Sequence, residues 1–282
     1  MFLALGGRYN GRTVGGSCII VATDLDGTLL DAESYAYDPA ISALRELAGA
    51  GVRTVFCSSK TAAEIEALQA ALGMQEGFVA ENGAVLSDGV AGHPPILRGR
   101  PVDAVDAALA ALRDAHDFPC QWFGEMTVAR ICELTGLTPE DAALARKRLC
   151  TEPVWWPPDC GQQRARWREL LAADGWQTLR GGRFETVGSA MDKAEGLAAL
   201  LEIWGIERSQ CRIVAAGDSE NDRTLLQAAD DAIVFPARDG RYLKLKRPHR
   251  RAPAAGPSCW AREIGELLMP ILESRASMRR PE

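Results

Sequence analysis

Apolar residues along this chain fall into two textures. Near the start, Cys18–Ala22 (CIIVA) is continuously apolar, as a strand covered on both faces must be. Asp38-Pro39 then opens a run with apolar residues at helical spacing, and Gly51 closes it. Aspartate at the cap, proline at the first helical position and glycine past the end are the signals of a helix. Val52–Cys57 reads as a second strand. Thr61-Ala-Ala-Glu64 is a capping box, and the helix it starts runs to Leu72 with Gly73 beyond. A third short strand, Gly77–Ala80, meets a turn at Glu81-Asn82-Gly83. Strand, helix, strand, helix, strand predicts a parallel sheet with covering helices.

The second texture begins near residue 90. GHPPILRGRP reads as loop, and short helices follow, one of them opened by Thr138-Pro139-Glu140-Asp141. Strand-like pieces lie near Val154–Trp156 and Phe184–Val187, around a tryptophan-rich stretch. After residue 190 the first rhythm returns. Asp192-Lys-Ala-Glu195 caps a helix reaching Trp204, Cys211–Ala216 is a strand, Glu220–Ala229 a helix and Ala232–Phe235 a last strand. The expected fold is α/β: a Rossmann-like parallel-sheet core over 17–89 plus 188–275, interrupted by an inserted α/β domain over 90–187. Residues 1–16, glycine-rich and aperiodic, read as a flexible N-terminal extension.

Composition narrows the function more than the fold. A net charge of −6 over 282 residues argues against a general nucleic-acid or anionic-membrane binder. No apolar run approaches a membrane span, and no basic n-region marks a signal peptide. The eight cysteines form no CxxC pair and the three histidines stand at no metal spacing to them, which argues against zinc. A reduced, cytoplasmic protein is the expectation. The basic piece RYLKLKRPHRR (241–251) is read as a solvated surface loop in preference to an anion site.

The candidate chemistry sits at strand ends. In Asp24-Leu-Asp26-Gly27-Thr28, residues i and i+2 of an extended chain point the same way, so two carboxylates converge where open α/β sheets bind ligands. A divalent cation relieves their repulsion, and magnesium favours carboxylates with substrate phosphate. The competing reading is a carboxylate-rich loop that caps the next element. Gly217-Asp218-Ser219-Glu220-Asn221-Asp222 also follows a buried strand and opens a helix, which suits either an anion and a metal or a plain N-cap. Lys193 opposes the dipole of the helix it starts, so it either answers an external anion or lies in solvent.

The stretch VFCSSKT (55–61) admits four readings. It lacks the glycines of an ATP-binding loop, with Thr54 and Ser59 in their places. A serine nucleophile lacks a base and any GxSxG elbow. A phosphate clamp needs a hydroxyl and N–H groups at a strand's end, which Ser58, Ser59 and the turn supply. Thr61 serves as a helix cap, and Lys60 faces substrate or solvent.

These four pieces, in this order, resemble the haloacid dehalogenase-like phosphohydrolases: DLDGT is similar to the first motif, Ser58 to the second, Lys193 to the third and GDSEND to the fourth. The insert between the second and third resembles the larger cap of the Cof-type (class IIB) subgroup. SSKTAAEI, ENGA, WFGEMT, ELTGL, ALARKRLCTEP, RGGRFE and GPSCW resemble the mannosyl-3-phosphoglycerate phosphatases within it. The chain departs from that pattern at Leu149-Cys150, where an acidic or aromatic pair is usual, and at Ala194-Glu195, in place of glycine and lysine. The departures bear on the sugar and leave the chemistry intact.

The resemblance implies that Asp24 is a nucleophile and Asp26 a general acid–base. It implies that Mg²⁺ is held by Asp24, the Asp26 carbonyl and Asp218, with Asp222 close by, and that Ser58 and Lys193 hold the phosphoryl group. Ser59, Lys60, Glu81, Asn82 and Asn221 are further substrate-binding candidates. In the cap, Arg148, Arg180 and Arg183 suit a carboxylate, and Glu125, Thr127 and Glu152 suit sugar hydroxyls. The cap tryptophans are read as core before sugar platforms. The implied partner is a small sugar phosphate, with no nucleic acid and no membrane, on a monomer or homodimer. A glucosyl-3-phosphoglycerate or other sugar-phosphate phosphatase, a phosphomutase and a non-catalytic phosphometabolite sensor are the alternatives.

Overall fold

The structure, a computed structural model, describes residues 18–180 and 184–278, the last five by backbone alone. The N-terminal extension and Arg183 lie outside the described residues. The chain opens with β1 (Cys18–Thr23), α1 (Ile41–Gly49), β2 (Arg53–Phe56) and α2 (Ala62–Leu72). β3 (Phe78–Ala80), β4 (Val85–Ser87), β5 (Ile96–Leu97) and α3 (Val102–His116) follow. Next come β6 (Gln121–Trp122), α4 (Val128–Thr135), α5 (Pro139–Ala145), β7 (Thr151–Trp155), α6 (Gly161–Ala173), β8 (Gln177–Arg180) and β9 (Glu185–Gly188). The chain ends with α7 (Lys193–Ile203), β10 (Cys211–Gly217), α8 (Arg223–Ala228), β11 (Asp231–Val234), β12 (Arg250–Arg251) and α9 (Pro257–Met278).

The chain divides into two compact units, Met1–Ser58 with Leu197–Glu282, and Ser59–Gly196. The first holds a five-stranded sheet in the order β12-β11-β10-β1-β2, parallel throughout. Parallel neighbours need crossovers, and α1 and α8 supply them between β1 and β2 and between β10 and β11. Ile19–Ala22 and Val214–Ala216 are buried on both faces, which is why these strands are unbroken apolar runs. In register, Thr23 lies opposite Ala216 on one side and Phe56 on the other, so β10, β1 and β2 end level.

The second unit holds two antiparallel sheets, β3-β4-β5 and β6-β7-β9-β8. The four-stranded sheet packs against α3 and α6 over a core of Val105, Leu109, Trp122, Trp156, Trp167 and Trp176, among others. Trp167 is fully buried and meets Trp156 edge-on, with centroids 5.4 Å apart. The tryptophans at 122, 156, 167 and 176 are thus core, as expected.

Two expectations are corrected. β3 does not join the parallel sheet. It turns back into β4, because Glu81 and Asn82 adopt left-handed backbone (φ 49° and 57°) and the chain reverses there. Asp38 does not cap α1: it lies in a 3-10 turn, Asp38–Ala40, with no side-chain cap bond. The basic segment 241–251 is a surface loop, as expected, with none of its residues buried, and two of its arginines also brace the fold. The Arg247 guanidinium donates to the carbonyls of Gln227, in the last turn of α8, and of Ala229 and Asp230 just past it, and Arg250 pairs with Glu266 at 3.0 Å. Such groups satisfy the orphan carbonyls of a helix end.

Trp167→Ala removes a fully buried tryptophan from the second unit's core. It is expected to lower unfolding free energy by about 3–5 kcal/mol, read from urea unfolding.

Candidate active site

Asp24 is the first residue past β1, and its N–H donates to the Ala216 carbonyl of β10 at 2.9 Å. The sheet therefore carries its pairing one residue beyond the strand and sets Asp24 at the level where β10 ends. The chain then folds tightly: Thr28 and Leu30 both donate to the Leu25 carbonyl, and Gly27 takes φ 80°. A side chain at Gly27 would stand 3.2 Å from Asp218 Oδ2, so the glycine serves both the turn and the approach of the second acidic loop.

That loop is held by its own last acid. Asp222 is fully buried, and its Oδ2 accepts from the Asp218 N–H (3.1 Å), the Ser219 N–H (3.0 Å) and the Ser219 hydroxyl (3.2 Å). A Cβ on Gly217 would come within 2.6 Å of the Asp222 side chain, so only glycine permits this close return. As a result Asp24, Asp218 and Asp222 each place a carboxylate oxygen within 4.8 Å of the others. Three hard oxygen donors so close repel one another unless protonated or neutralised, and the set fits a small divalent cation. The Asp26 side chain is not part of this triad. Ser58, two residues past β2 and almost fully buried, lies at the same end of the same sheet, where Cys57 N–H donates to the Thr23 carbonyl (2.8 Å).

One support went unread in the sequence. Trp260 of α9, fully buried, donates from Nε1 to Thr23 Oγ1 (2.9 Å), and that hydroxyl donates to the Asp24 carbonyl (2.8 Å). Its only trace in the sequence was the GPSCW string, which says nothing of a partner 237 residues away.

In the second unit, Thr61 caps α2 with the full capping box, accepting from Glu64 N–H (3.1 Å). Lys60 lies 3.4 Å from Glu64. Asp192 caps α7 by accepting from Glu195 N–H (2.9 Å), and Lys193 behind it is fully buried, which removes the solvated reading. A Cβ on Gly83 would fall 2.0 Å from the Asp192 carbonyl, so the ENG turn and the start of α7 meet backbone to backbone. Glu81 and Asn82 are buried in that turn.

The cap candidates have different surroundings. Arg180 is exposed at the end of β8. Glu125 is exposed and pairs with Arg113 (2.6 Å), which raises that guanidinium's pKa. Thr127 caps α4. Arg148 is buried among backbone and side-chain acceptors. Outside the cap, in the first unit, Asn221 accepts from the Ser219 hydroxyl (2.6 Å). Glu152 is buried and accepts from Gly124 N–H (3.1 Å). Burial pushes its carboxyl up to about 8, against the opposing pull of Arg148, and Asp106 and Glu81 push the same way as burial. Asp106, raised chiefly by its own burial, faces the same glycine: a Cβ on Gly124 would stand 3.1 Å from Glu152 Oε1 and 3.2 Å from both Asp106 oxygens. Asp106 also went unread. The available signal was an acid beside Val105 and three residues from Leu109, on the buried side of α3.

The sign of the Glu152 effect follows from its raised carboxyl. The folded protein keeps a proton that the unfolded chain loses above the ordinary glutamate range, so stability falls as pH rises towards 8. Glu152→Gln keeps a carbonyl acceptor for Gly124 and abolishes that titration. Its melting temperature is expected to gain on the parent's from pH 5 to pH 8, by differential scanning calorimetry, and a constant gap across the window contradicts the raised carboxyl.

Known proteins share this fold. A family model described as haloacid dehalogenase-like hydrolase matches residues 21–130 and 159–235, a span that includes Asp24, Ser58, Asp218 and Asp222. Among solved structures, Thermoplasma acidophilum 0175 superposes with TM-score 0.67 at 16% identity, covering 91% of this chain and 99% of that one. BT1666 from Bacteroides thetaiotaomicron, described among phosphatases of the haloalkanoate (HAD) superfamily, gives TM-score 0.59 at 21% identity over 82% of this chain and 88% of its own. BT4131, described as a HAD subclass IIB sugar phosphatase, gives 0.60 at 17% identity over 89% and 98%. With the family match spanning both acidic loops and most of the insert between them, this chain belongs to the haloacid dehalogenase-like hydrolases.

Proposed function

We propose that this chain is a Mg²⁺-dependent phosphatase that hydrolyses the phosphate monoester of mannosyl-3-phosphoglycerate. The observation that carries the reaction class is the triad of Asp24, Asp218 and Asp222, within 4.8 Å of one another at the end of a parallel sheet. The resemblance of the cap strings to the mannosyl-3-phosphoglycerate phosphatases carries the substrate, and the sugar phosphatase among the structural neighbours agrees with its class.

On this reading an Asp24 oxygen attacks phosphorus as the P–O bond to the glycerate oxygen breaks, and Asp26 gives that oxygen its proton. Water then attacks the aspartyl-phosphate, Asp26 takes its proton, and the bond to Asp24 breaks to release inorganic phosphate. Asp24, the Asp26 carbonyl, Asp218 and Asp222 would hold the metal, which would supply positive charge against the phosphoryl oxygens. Ser58 donates to those oxygens, and Lys193, fully buried at the start of α7, neutralises them. Asn82, Asn221, Ser59 and Lys60 complete the phosphate's surroundings. Arg180 and Arg183 address the carboxylate, and Glu125 and Thr127 address the sugar.

Asp24→Asn is expected to lower turnover by more than about a thousandfold while inorganic phosphate still binds, because the amide keeps the shape and loses the nucleophile. Phosphate release measured at saturating substrate checks it, and near-normal turnover removes Asp24 from the role. Mannosyl-3-phosphoglycerate is expected to exceed its glucosyl counterpart in kcat/KM by about tenfold or more, since the two sugars differ in the configuration of one hydroxyl, and its inversion leaves the polar groups built for it unpaired. Equal constants in a side-by-side assay refute the sugar assignment.

A further inference from the structure

Glu81 and Arg148 were expected to touch substrate, yet both are buried and both reach the same short loop. Arg148 Nη1 donates to the Ser59 carbonyl (3.0 Å), and Glu81 N–H donates to the Lys60 carbonyl (2.9 Å). We infer that Glu81 and Arg148 are positioning residues that set the backbone of the Ser59–Lys60 loop for phosphate binding, an inference that rests on the phosphatase reading above.

The geometry of the peptide unit gives these two bonds their effect. A trans peptide is planar, with its C=O and N–H pointing in opposite directions. Fixing the Ser59 carbonyl on Arg148 therefore fixes the direction of the Lys60 N–H. Fixing the Lys60 carbonyl on Glu81 does the same for the Thr61 N–H, which donates to Glu64 Oε2 at 2.8 Å. A third tie, from Thr61 Oγ1 to the Leu144 carbonyl (3.0 Å), joins the loop to the segment that carries Arg148. The loop continues directly from Ser58, so its path also bears on the hydroxyl that the phosphatase reading uses.

The two positioning residues are themselves anchored. The Glu81 carboxylate accepts from Leu149 N–H (2.8 Å), Cys150 N–H (3.0 Å) and Thr151 Oγ1 (2.8 Å). Arg148 Nε donates to the Thr151 carbonyl (3.2 Å) and stands 3.8 Å from Glu81 Oε2. Glu81 thus keeps three donors when Arg148 is replaced, and the loss falls on the Ser59 carbonyl and on the carbonyl and hydroxyl of Thr151. A guanidinium occupied in this way is poorly placed to bind a substrate carboxylate.

The test uses the full chain with Mg²⁺, inorganic phosphate as the probe, and two variants. Arg148→Met keeps the stem and removes every donor, while Arg148→Lys keeps the charge and one reach. Arg148→Met is expected to weaken phosphate binding by about tenfold in calorimetry, the loss of one charge-assisted hydrogen bond's ordering effect. Amide exchange over residues 59–61 is expected to quicken by a similar factor, with Arg148→Lys between the two proteins. In the substrate assay KM is expected to rise more than kcat falls. Phosphate affinity within twofold of the parent in folded Arg148→Met, or unchanged exchange over 59–61 in that variant, overturns the inference. A parent chain that binds no phosphate overturns it too, whereas one that binds phosphate without turnover sinks only the phosphatase reading.

Discussion

Three carboxylates within 4.8 Å of one another repel, and much of the first unit's local structure opposes that repulsion. The parallel sheet brings the ends of β1 and β10 to one level, so Asp24 and Asp218 cannot separate without breaking strand pairing. Two glycines, Gly27 and Gly217, permit a closeness that any side chain would obstruct. Asp222 is spent partly on structure, binding the backbone of the loop that carries Asp218. Trp260 and Thr23 tie the Asp24 carbonyl from behind. A cation between the acids would convert this repulsion into the attraction that a metal-dependent hydrolase requires.

In the second unit the comparable constraint is the buried carboxylate of Glu81. Its own backbone and that of Asn82 are left-handed, at a cost of about 1–2 kcal/mol per residue. A carboxylate with three donors, each bond contributing about 1.5–3 kcal/mol, outweighs that strain. Two of the donors are backbone N–H groups of Leu149 and Cys150. This explains how the chain departs there from the side chains usual in the mannosyl-3-phosphoglycerate phosphatases: the contact needs the backbone alone, and the burial of Cys150 makes an apolar residue suitable. The same turn that buries Glu81 reverses the chain, which is why β3 pairs antiparallel with β4 instead of extending the main sheet.

Much of the candidate site was legible because its signals are local. A strand followed by DLDGT, a strand followed by GDSEND and a capping box at Thr61 each lie within a few residues, and i, i+2 alternation or helix-start chemistry interprets them directly. The alternation of apolar runs and helical spacing was similarly sufficient for β1, β2, β10 and β11. β12 escaped because two arginines carry no strand signal; β11 recruits them from the edge. Trp260, Asp106 and the true partners of Arg148 escaped for the same reason at longer range. Their contacts join residues far apart in the chain, and no spacing encodes them.

The sequence by itself determined which residue types were available: paired acids at strand ends, serines after a second strand, a lysine at a helix start, and an insert rich in tryptophan. It determined these because strand burial and helix capping are set by neighbours along the chain. The tertiary structure alone decided their use. Lys193 is wholly buried, Arg148 faces backbone carbonyls, and Glu152 lies in a pocket that favours its protonated form. Each of these outcomes depends on desolvation and on partners brought in from distant segments, and burial is a property of the packed chain that no local pattern contains.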